Sequence, residues 1–361
     1  MAQDDIQVTQ VNPVGGPASS SPPPQQIIIQ QPRSSRLGKW IVSGLITAVV
    51  IIFMMYSGYA SYYVPRDMPK EKYHSLDKYA EKKIAVIEVK GPIYDEGDGY
   101  VKKQIDLVRE DPAVVGVVVR VDSPGGTVTG SDYVYHHLRQ LAKERKIPLV
   151  VSMGSVCASG GYYVAMAVGD QPKSIFAEQT TWTGSIGVII PHFDLSQALA
   201  ALEIKDDSIS SGPYKQMGTP TRKMTEEERK LLQELVDDSF GRFKDVVRSG
   251  RPAFRNDPAA LEQVTTGRIF TATQALERGL VDQIGFVEAA IARAAELANI
   301  DPKNVRCVRY EEPPSFFDGL AGANATLGGR ANVDLGGFLD LMTPRAYYLW
   351  TWLPAAMSNS R

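Results

Sequence analysis

Apolar runs divide the chain into a membrane-type segment and a folded domain. The stretch from Trp40 to about Tyr63 carries no charge and is almost wholly apolar. At about 1.5 Å per residue, some twenty such residues span a hydrocarbon core of roughly 30 Å. Aromatic residues at both of its ends suit the two membrane interfaces. The pattern predicts a transmembrane helix, since a cleavable signal peptide normally has a shorter apolar region.

Beyond this segment, two kinds of apolar pattern alternate. Strands are predicted at 84–89, 114–119, 148–153 and 186–190, and helices at 100–109, 131–146, 163–168, 196–202 and from Thr225 onward. The continuous β-branched run Val114–Val119 is typical of a strand buried on both faces of a parallel sheet. Thr225 and the three glutamates after it predict an N-cap and an acidic first turn. Strands alternating with helices predict an α/β fold with a parallel sheet and right-handed βαβ units.

Basic residues indicate how the membrane segment is oriented. Arg33, Arg36 and Lys39 lie on its N-terminal side, so we expect a cytoplasmic N-terminus and an extracytoplasmic chain after Arg66. The first residues are rich in Pro, Gln and Ser, which predicts a disordered tail. The expected organisation is a disordered cytoplasmic tail at 1–36, a transmembrane anchor at 37–63, a linker at 64–81, a folded domain at 82–312 and a C-terminal tail at 313–361.

Composition excludes several function classes. Lys and Arg (39) nearly balance Asp and Glu (41). The sequence has no basic patch with interleaved aromatic residues of the kind that binds nucleic acid. The two cysteines, Cys157 and Cys307, form no disulfide framework. No His/Cys spacing indicates a metal, and no glycine turn has the dinucleotide or P-loop spacing. We therefore expect no metal and no cofactor.

Three glycine-rich turns, at 123–126, 159–161 and 183–187, carry the candidate chemistry. In open α/β sheets, sites collect at the carboxyl ends of strands, where such turns cluster. Ser159 lies between a predicted strand and a predicted helix and precedes two glycines, an arrangement typical of a nucleophile turn. Backbone N–H groups there could hold developing negative charge. A tight packing turn between a strand and a helix would look similar.

A serine nucleophile needs a neighbouring base, and the residues alone leave two candidates. Of the four histidines, only His192 is placed to act as a base, although its position favours an ordinary surface or loop histidine. Lys215 lies in the Gly/Pro-punctuated loop 210–220. A lysine buried near polar partners can lose its proton and act as a general base, although most lysines are solvated.

Five motifs together resemble the signal peptide peptidase family of the bacterial protease IV type, in its short single-repeat form. They are Asp122-Ser-Pro-Gly-Gly126, Ala158-Ser-Gly-Gly-Tyr-Tyr163, Thr183-Gly-Ser-Ile-Gly-Val188, Ser211-Gly-Pro-Tyr-Lys215 and the segment Gly267–Gly285. The resemblance covers roughly residues 82–297. It implies a Clp/crotonase-like fold preceded by one transmembrane helix, and a serine endopeptidase.

The resemblance also assigns roles to residues. Ser159 is expected to be the nucleophile, Lys215 the general base, and Ser185 the residue that holds the lysine in place. The oxyanion hole is expected to comprise the amides of Gly160 and of Gly126, with Gly125 as the less favoured alternative.

Assembly and substrates follow from the same resemblance. It implies a homo-oligomeric ring, an octamer, in which serine and lysine come from adjacent protomers. The implied substrates are cleaved signal peptides and other extended apolar peptides at the outer face of the cytoplasmic membrane. Three alternatives are a stomatin-partner-type membrane serine protease, a crotonase-like acyl-CoA enzyme and an inactive scaffold. For the tail 313–361, we hypothesise docking on a neighbouring protomer or in its groove.

Overall fold

The computed structural model describes residues 36–63, 68–94, 97, 99–312 and 347–349. The chain forms two units, Met1–Arg66 and Asp67–Arg361. The predicted N-terminal tail 1–36 lies outside the described residues except for residue 36, and the predicted C-terminal tail 313–361 lies outside them except for 347–349.

The first unit contains one long apolar helix, α1, at Arg36–Tyr63. Within it, the 20 residues Trp40–Tyr59 have a mean hydropathy of 2.1, and none of this stretch is buried. By length and composition, α1 can cross a membrane, as the sequence predicts.

The second unit alternates strands and helices. Its strands are β1 Lys70–Leu76, β2 Lys82–Lys90, β3 Val114–Ser123, β4 Gly125–Thr127, β5 Leu149–Ala158, β6 Ile175–Ala177, β7 Trp182–Gly184, β8 Ile269–Thr271, β9 Gln283–Ile284, β10 Val305–Glu311 and β11 Tyr347–Leu349. Its helices are α2 Tyr100–Glu110, α3 Val128–Arg145, α4 Gly160–Ala165, α5 Ser196–Ala201, α6 Glu226–Gly250, α7 Ala253–Asn256, α8 Pro258–Val264, α9 Ala272–Glu277 and α10 Val287–Leu297, with 3-10 turns at Met166–Val168 and Pro302–Asn304.

One sheet organises this unit, in the order β1-β10-β2-β3-β5-β6-β9. β7 extends it beyond the end of β5 and pairs with β8. The β1–β10 and β7–β8 pairs are antiparallel, and the other pairs of this sheet are parallel. The α/β fold with a mostly parallel sheet is therefore confirmed.

Both faces of the sheet are buried, which explains the uninterrupted apolar strands. Along β2, Ile84 packs on the side of α10, whereas Ala85 and Ile87 belong to the larger core on the opposite face. That larger core also contains Leu138 of α3 and Phe243 of α6. A continuous apolar strand is the sequence pattern that such two-sided burial requires.

Two expectations about individual segments are wrong. Residues 186–190 form no strand; only Ile189 makes an isolated bridge, and the strand of this region is β7. The predicted linker 64–81 contains β1, which pairs with β10 at the sheet edge. Charged side chains on both strands, such as Lys72 and Glu311, form salt bridges across this exposed pair. Because these charged residues give β1 no apolar pattern, its sequence resembles that of a linker.

Candidate active site

The carboxyl ends of three parallel strands meet at the three glycine-rich turns. Register places Ser123 of β3 beside Cys157 of β5, and Cys157 beside Thr183 of β7. The Thr183 hydroxyl donates a 2.6 Å hydrogen bond to the Cys157 carbonyl. The turns that the sequence singled out therefore lie side by side at one edge of the sheet.

Ser159 joins β5 to α4 in a strained backbone conformation. Its φ is 53° and its ψ is −116°, a region that L-residues rarely occupy. Its N–H donates to the Gly184 carbonyl (2.8 Å), and its carbonyl accepts from the Tyr163 N–H (2.9 Å). The hydroxyl does not cap α4, and the residue is only 1% exposed. The surrounding backbone thus holds the serine at a sharp turn, and its hydroxyl makes no capping hydrogen bond to the helix.

Ser185 lies at the equivalent point of the neighbouring strand. It follows β7, which pairs in parallel with the end of β5, so it comes next to Ser159 in register. Its φ is also positive, at 50°, and its N–H donates to the Arg268 carbonyl (2.8 Å). The residue is 7% exposed. The structure brings the two serines together, both on strained backbone.

The predicted oxyanion-hole glycines pack backbone to backbone. A methyl carbon built on Gly160 would lie 3.1 Å from the Gly126 nitrogen and 2.3 Å from the Ser131 hydroxyl oxygen. One built on Gly126 would lie 1.8 Å from the Ile93 carbonyl oxygen. Only glycine fits at either position, and the close approach sets the two amides beside each other. Two fixed N–H donors next to a serine are the arrangement that stabilises a tetrahedral oxyanion.

Polar side chains brace the end of β5, where its pairing with β3 is irregular. A carboxylate oxygen of Asp122 accepts from the Val156 N–H (3.0 Å), and the Thr181 hydroxyl donates to the Gly154 carbonyl (2.7 Å). These bonds satisfy buried backbone groups that the irregular register leaves unpaired. They hold the strand rigidly up to Ser159.

Burial makes the neighbouring titratable side chains poor bases. Burial raises the pKa of the Cys157 thiol far above its usual range, with a further contribution from Asp122. Burial and then the hydrogen bond to Asp132 raise the pKa of the Tyr163 hydroxyl likewise. Among the residues that the structure describes, no side chain hydrogen-bonds the Ser159 hydroxyl. The described part of one chain therefore holds the predicted nucleophile and the predicted oxyanion donors, and none of its side chains hydrogen-bonds the serine as a base would.

Neither candidate base reaches Ser159 within one chain. Lys215 is exposed on a turn whose backbone is held by the Gly212 carbonyl (3.2 Å), and its ammonium pairs with nothing in the described part of the chain. The His192 ring lies 3.3 Å from the Thr219 carbonyl, in the loop that precedes α6.

The described residues also contain no group of three or more His, Cys, Asp or Glu side chains that could hold a metal ion. The donors at the site are backbone amides and serine hydroxyls, which are poor ligands for transition metals. The arrangement suits acyl transfer to a serine.

Comparisons with known proteins agree with this chemistry. Residues 141–301 match peptidase family S49. A putative protease from Synechocystis sp. is 41% identical over 249 residues, which cover 68% of this chain and 85% of that protein. A putative signal peptide peptidase SppA from Enterococcus faecium is 38% identical, covering 59% of this chain and 62% of that protein. Among solved structures, a ClpP1 mutant from Listeria monocytogenes is 16% identical and covers 57% of this chain and 94% of its own, with a TM-score of 0.36.

The S49 match contains Ser159, Ser185 and Lys215 but begins after Gly126. The Synechocystis relative extends the similarity beyond the matched segment at high identity. On these grounds the chain belongs to peptidase family S49 and is an SppA-type serine peptidase.

Proposed function

We propose that this chain is a membrane-anchored serine endopeptidase in which Ser159 is the nucleophile and Lys215 the general base. Its proposed substrates are cleaved signal peptides and other extended apolar peptides at the outer face of the cytoplasmic membrane. The observation that carries the proposal is the strained Ser159, held beside Ser185 and the Gly126 and Gly160 amides.

The reaction follows from this geometry. Lys215, with its amine neutral, takes the proton of the Ser159 hydroxyl as the serine oxygen bonds to the substrate carbonyl carbon. The oxyanion accepts hydrogen bonds from the two glycine amides. The C–N bond then breaks, and the leaving amine takes the proton back from the lysine. Water, deprotonated by the same lysine, releases the acyl group as a carboxylic acid and restores the serine.

A second copy of the chain would supply the lysine. Within one chain Lys215 is exposed, and a neutral amine at neutral pH requires desolvation. A neighbouring protomer in a ring would bury the lysine and place it against Ser185, which follows β7 next to the end of β5 that carries Ser159. An octameric ring is the assembly that the family resemblance favours.

The membrane placement rests on α1 and its flanks. An apolar stretch of 20 residues that Arg33, Arg36 and Lys39 directly precede supports a single span with the N-terminus inside. The peptidase unit would then face away from the cytoplasm. Protease added to the outside of sealed, right-side-out vesicles should remove the peptidase unit and spare an N-terminal epitope tag; the reverse pattern would overturn this orientation.

The decisive test uses detergent-purified full-length protein and an apolar signal-peptide mimic. Ser159→Ala and Lys215→Ala should each abolish cleavage, whereas Lys205→Ala, another exposed lysine, should not. Mixing the two inactive variants should restore part of the activity, because mixed rings contain sites with both residues intact. No recovery despite confirmed subunit mixing would place both residues in one chain. Full activity of Lys215→Ala would refute the lysine mechanism.

A further inference from the structure

The loop that carries Lys215 has little structure of its own. Residues 202–225, all of which the structure describes, form only turns, bends and irregular backbone between α5 and α6, and none of them is buried. Within the loop, the Lys215 N–H donates to the Gly212 carbonyl (3.2 Å). A segment without buried side chains or regular secondary structure opens easily, so the position of Lys215 depends on the few bonds that join this loop to the rest of the domain.

The residue before Lys215 is bonded to the first turn of α6. The Tyr214 hydroxyl donates a hydrogen bond to a carboxylate oxygen of Glu227, thirteen residues further along the chain. Both side chains are exposed. Because substitutions at such surface positions seldom change the free energy of unfolding much, this bond contributes to the placement of the loop more than to the stability of the domain.

The residue after Lys215 is bonded to the same turn through an arginine. The Arg222 guanidinium donates to both carboxylate oxygens of Glu228, and one of its nitrogens also donates a long hydrogen bond to the Gln216 carbonyl (3.4 Å). Glu228 is only 2% exposed, and its carboxylate also accepts from the Thr225 N–H (2.9 Å). Arg222 therefore connects a buried carboxylate, bonded at both oxygens, to the backbone beside Lys215.

These two contacts flank the lysine and end on consecutive glutamates, Glu227 and Glu228. Both lie in a helical turn that the capping box of α6 fixes, and a group held by a helix is placed more precisely than one held by a loop. The positive end of the helix dipole favours acidic residues at all three positions of this turn. Glu226, however, is exposed and makes no side-chain bond in the described part of the chain. The dipole alone therefore does not account for the bonds that the other two glutamates make.

We propose that Tyr214 and Arg222 are positioning residues, which fasten the turn that carries Lys215 to Glu227 and Glu228 in the first turn of α6. The proposal rests on the proposed function, in which Lys215 is the base, and it names what holds that base in place. Neither residue has to touch the substrate or the reacting atoms. Displacing a catalytic group by about 1 Å can cost about 10²-fold in rate, so two bonds that fix an unpacked loop should have a measurable effect on turnover.

The expected loss is in kcat, which scales with the fraction of chains whose lysine turn is in the productive position. Tyr214→Phe removes one exposed hydrogen bond to a charged group, which predicts a kcat about 3- to 10-fold lower. Arg222→Ala removes the bond to Gln216 and also the partner of Glu228, which predicts a kcat about 10- to 100-fold lower. KM should stay unchanged, because neither residue belongs to the glycine turns that hold the nucleophile and the oxyanion donors.

The first test measures kcat and the urea midpoint of full-length variants in detergent, with an apolar signal-peptide mimic as substrate. Glu226→Ala and Arg229→Ala are the matched controls, since both residues are exposed at the start of α6 and make no side-chain bond in the described part of the chain. Both controls should keep the wild-type kcat. Arg222→Ala leaves a buried carboxylate unpaired and should lower the urea midpoint, whereas Tyr214→Phe should not. A lower kcat of Tyr214→Phe at an unchanged urea midpoint is the expected result, and a wild-type kcat would overturn the proposal.

The second test uses mixed assemblies to show which chain the two bonds serve. In a mixture of Ser159→Ala and Lys215→Ala chains, each working site takes its lysine from a Ser159→Ala chain. Adding Tyr214→Phe to that chain should lower the recovered activity about 3- to 10-fold, whereas adding it to the Lys215→Ala chain should leave the recovered activity unchanged. A general defect in folding or assembly would lower the activity of both mixtures. Equal losses in the two mixtures, or no loss in either, would overturn the proposal.

The outcomes separate this proposal from the proposed function. Wild-type kcat in Tyr214→Phe and Arg222→Ala, beside an inactive Lys215→Ala, would overturn the positioning role alone. Full activity of Lys215→Ala would overturn the lysine mechanism and the positioning role with it. No recovery in the parent mixture would refute the arrangement across two chains. The comparison of Tyr214→Phe with Glu226→Ala in otherwise unchanged protein then decides, and equal kcat values would overturn the positioning role.

Discussion

The backbone strain at the nucleophile makes a quantitative prediction about stability. Ser159 is held at φ 53° and ψ −116°, a conformation that is sterically unfavourable for a residue with a Cβ and allowed for glycine. Ser159→Ala removes the hydroxyl but keeps the Cβ, whereas Ser159→Gly removes both. Both variants should be inactive. Their stabilities should differ, because only the glycine variant relieves the strain.

Three contributions set the size of the difference. Holding a non-glycine residue in such a region costs up to about 3 kcal/mol. Two terms oppose this gain. Glycine loses more conformational entropy on folding, which costs about 0.5–1 kcal/mol, and the missing methyl group removes about 0.8 kcal/mol of stabilisation by burial. We therefore expect Ser159→Gly to be about 1 kcal/mol more stable than Ser159→Ala. For a domain of this size that corresponds to a Tm about 2–4 °C higher.

Urea and thermal unfolding of the two full-length variants in one detergent would measure the difference. Ser155 provides the matched control, because it lies exposed in β5 with ordinary backbone angles. There Ser155→Gly should be less stable than Ser155→Ala by about 0.5–1 kcal/mol, the opposite sign. If Ser159→Gly were no more stable than Ser159→Ala, the backbone at the nucleophile would not be strained.

Three further predictions concern activity, pH and reactivity. Gly160→Ala should lower kcat by at least about 10²–10³-fold, since its methyl would lie 3.1 Å from the Gly126 nitrogen of the proposed oxyanion hole and 2.3 Å from the Ser131 hydroxyl oxygen. Gly187→Ala, whose methyl would meet nothing closer than 3.4 Å, should stay active. The salt bridge to Arg222 and a backbone hydrogen bond lower the pKa of Glu228 to about 2. The stability that these bonds contribute is complete above pH 4.5 and is lost as the pH falls toward 2. The wild type should therefore have a higher urea midpoint than Glu228→Gln at about pH 6, and this difference should shrink below about pH 4.5. Both cysteines are fully buried with raised pKa values, so iodoacetamide should label neither in the native protein and both in urea; labelling of the native protein would contradict their burial.

Long apolar strands were predictable because burial on both faces imposes a simple pattern. β2, β3 and β5 each contain an apolar run, and each begins within two residues of its predicted start. β3 and β5 continue beyond their predicted ends, to Ser123 and Ala158. β7 has only three residues and includes a glycine, so it carries no such pattern. The apolar run that follows it, 186–190, has the pattern of a strand but forms none. Its Ile186 is apolar because it is buried in the core directly after the sharp turn at Ser185.

The candidate site was predictable as far as it depends on single turns. Glycine turns after strands indicated Ser159 and the segments that contain Ser185, Gly126 and Gly160, to which the family resemblance then assigned roles. The parallel sheet brings these turns to one edge. The packing of Tyr348 against Tyr163 and Phe243 was not predictable in this way. Tyr163 and Phe243 are 80 residues apart in sequence, and Tyr348 lies about a hundred residues further along the chain.

The two serines are fixed within one chain, whereas the proposed base is not, and this difference bears on how such an enzyme would be controlled. Hydrogen bonds from Ser159 to Gly184 and from Ser185 to Arg268 fix both serines within one chain, before any assembly. Lys215 alone lies exposed on a turn. Under the proposed mechanism, assembly has only to bury that lysine against the two serines, and it need not rearrange the strained backbone. Unassembled chains would then hold a complete oxyanion hole without a base and would be unable to hydrolyse neighbouring proteins during synthesis. The inactive state would thus follow from incomplete assembly alone.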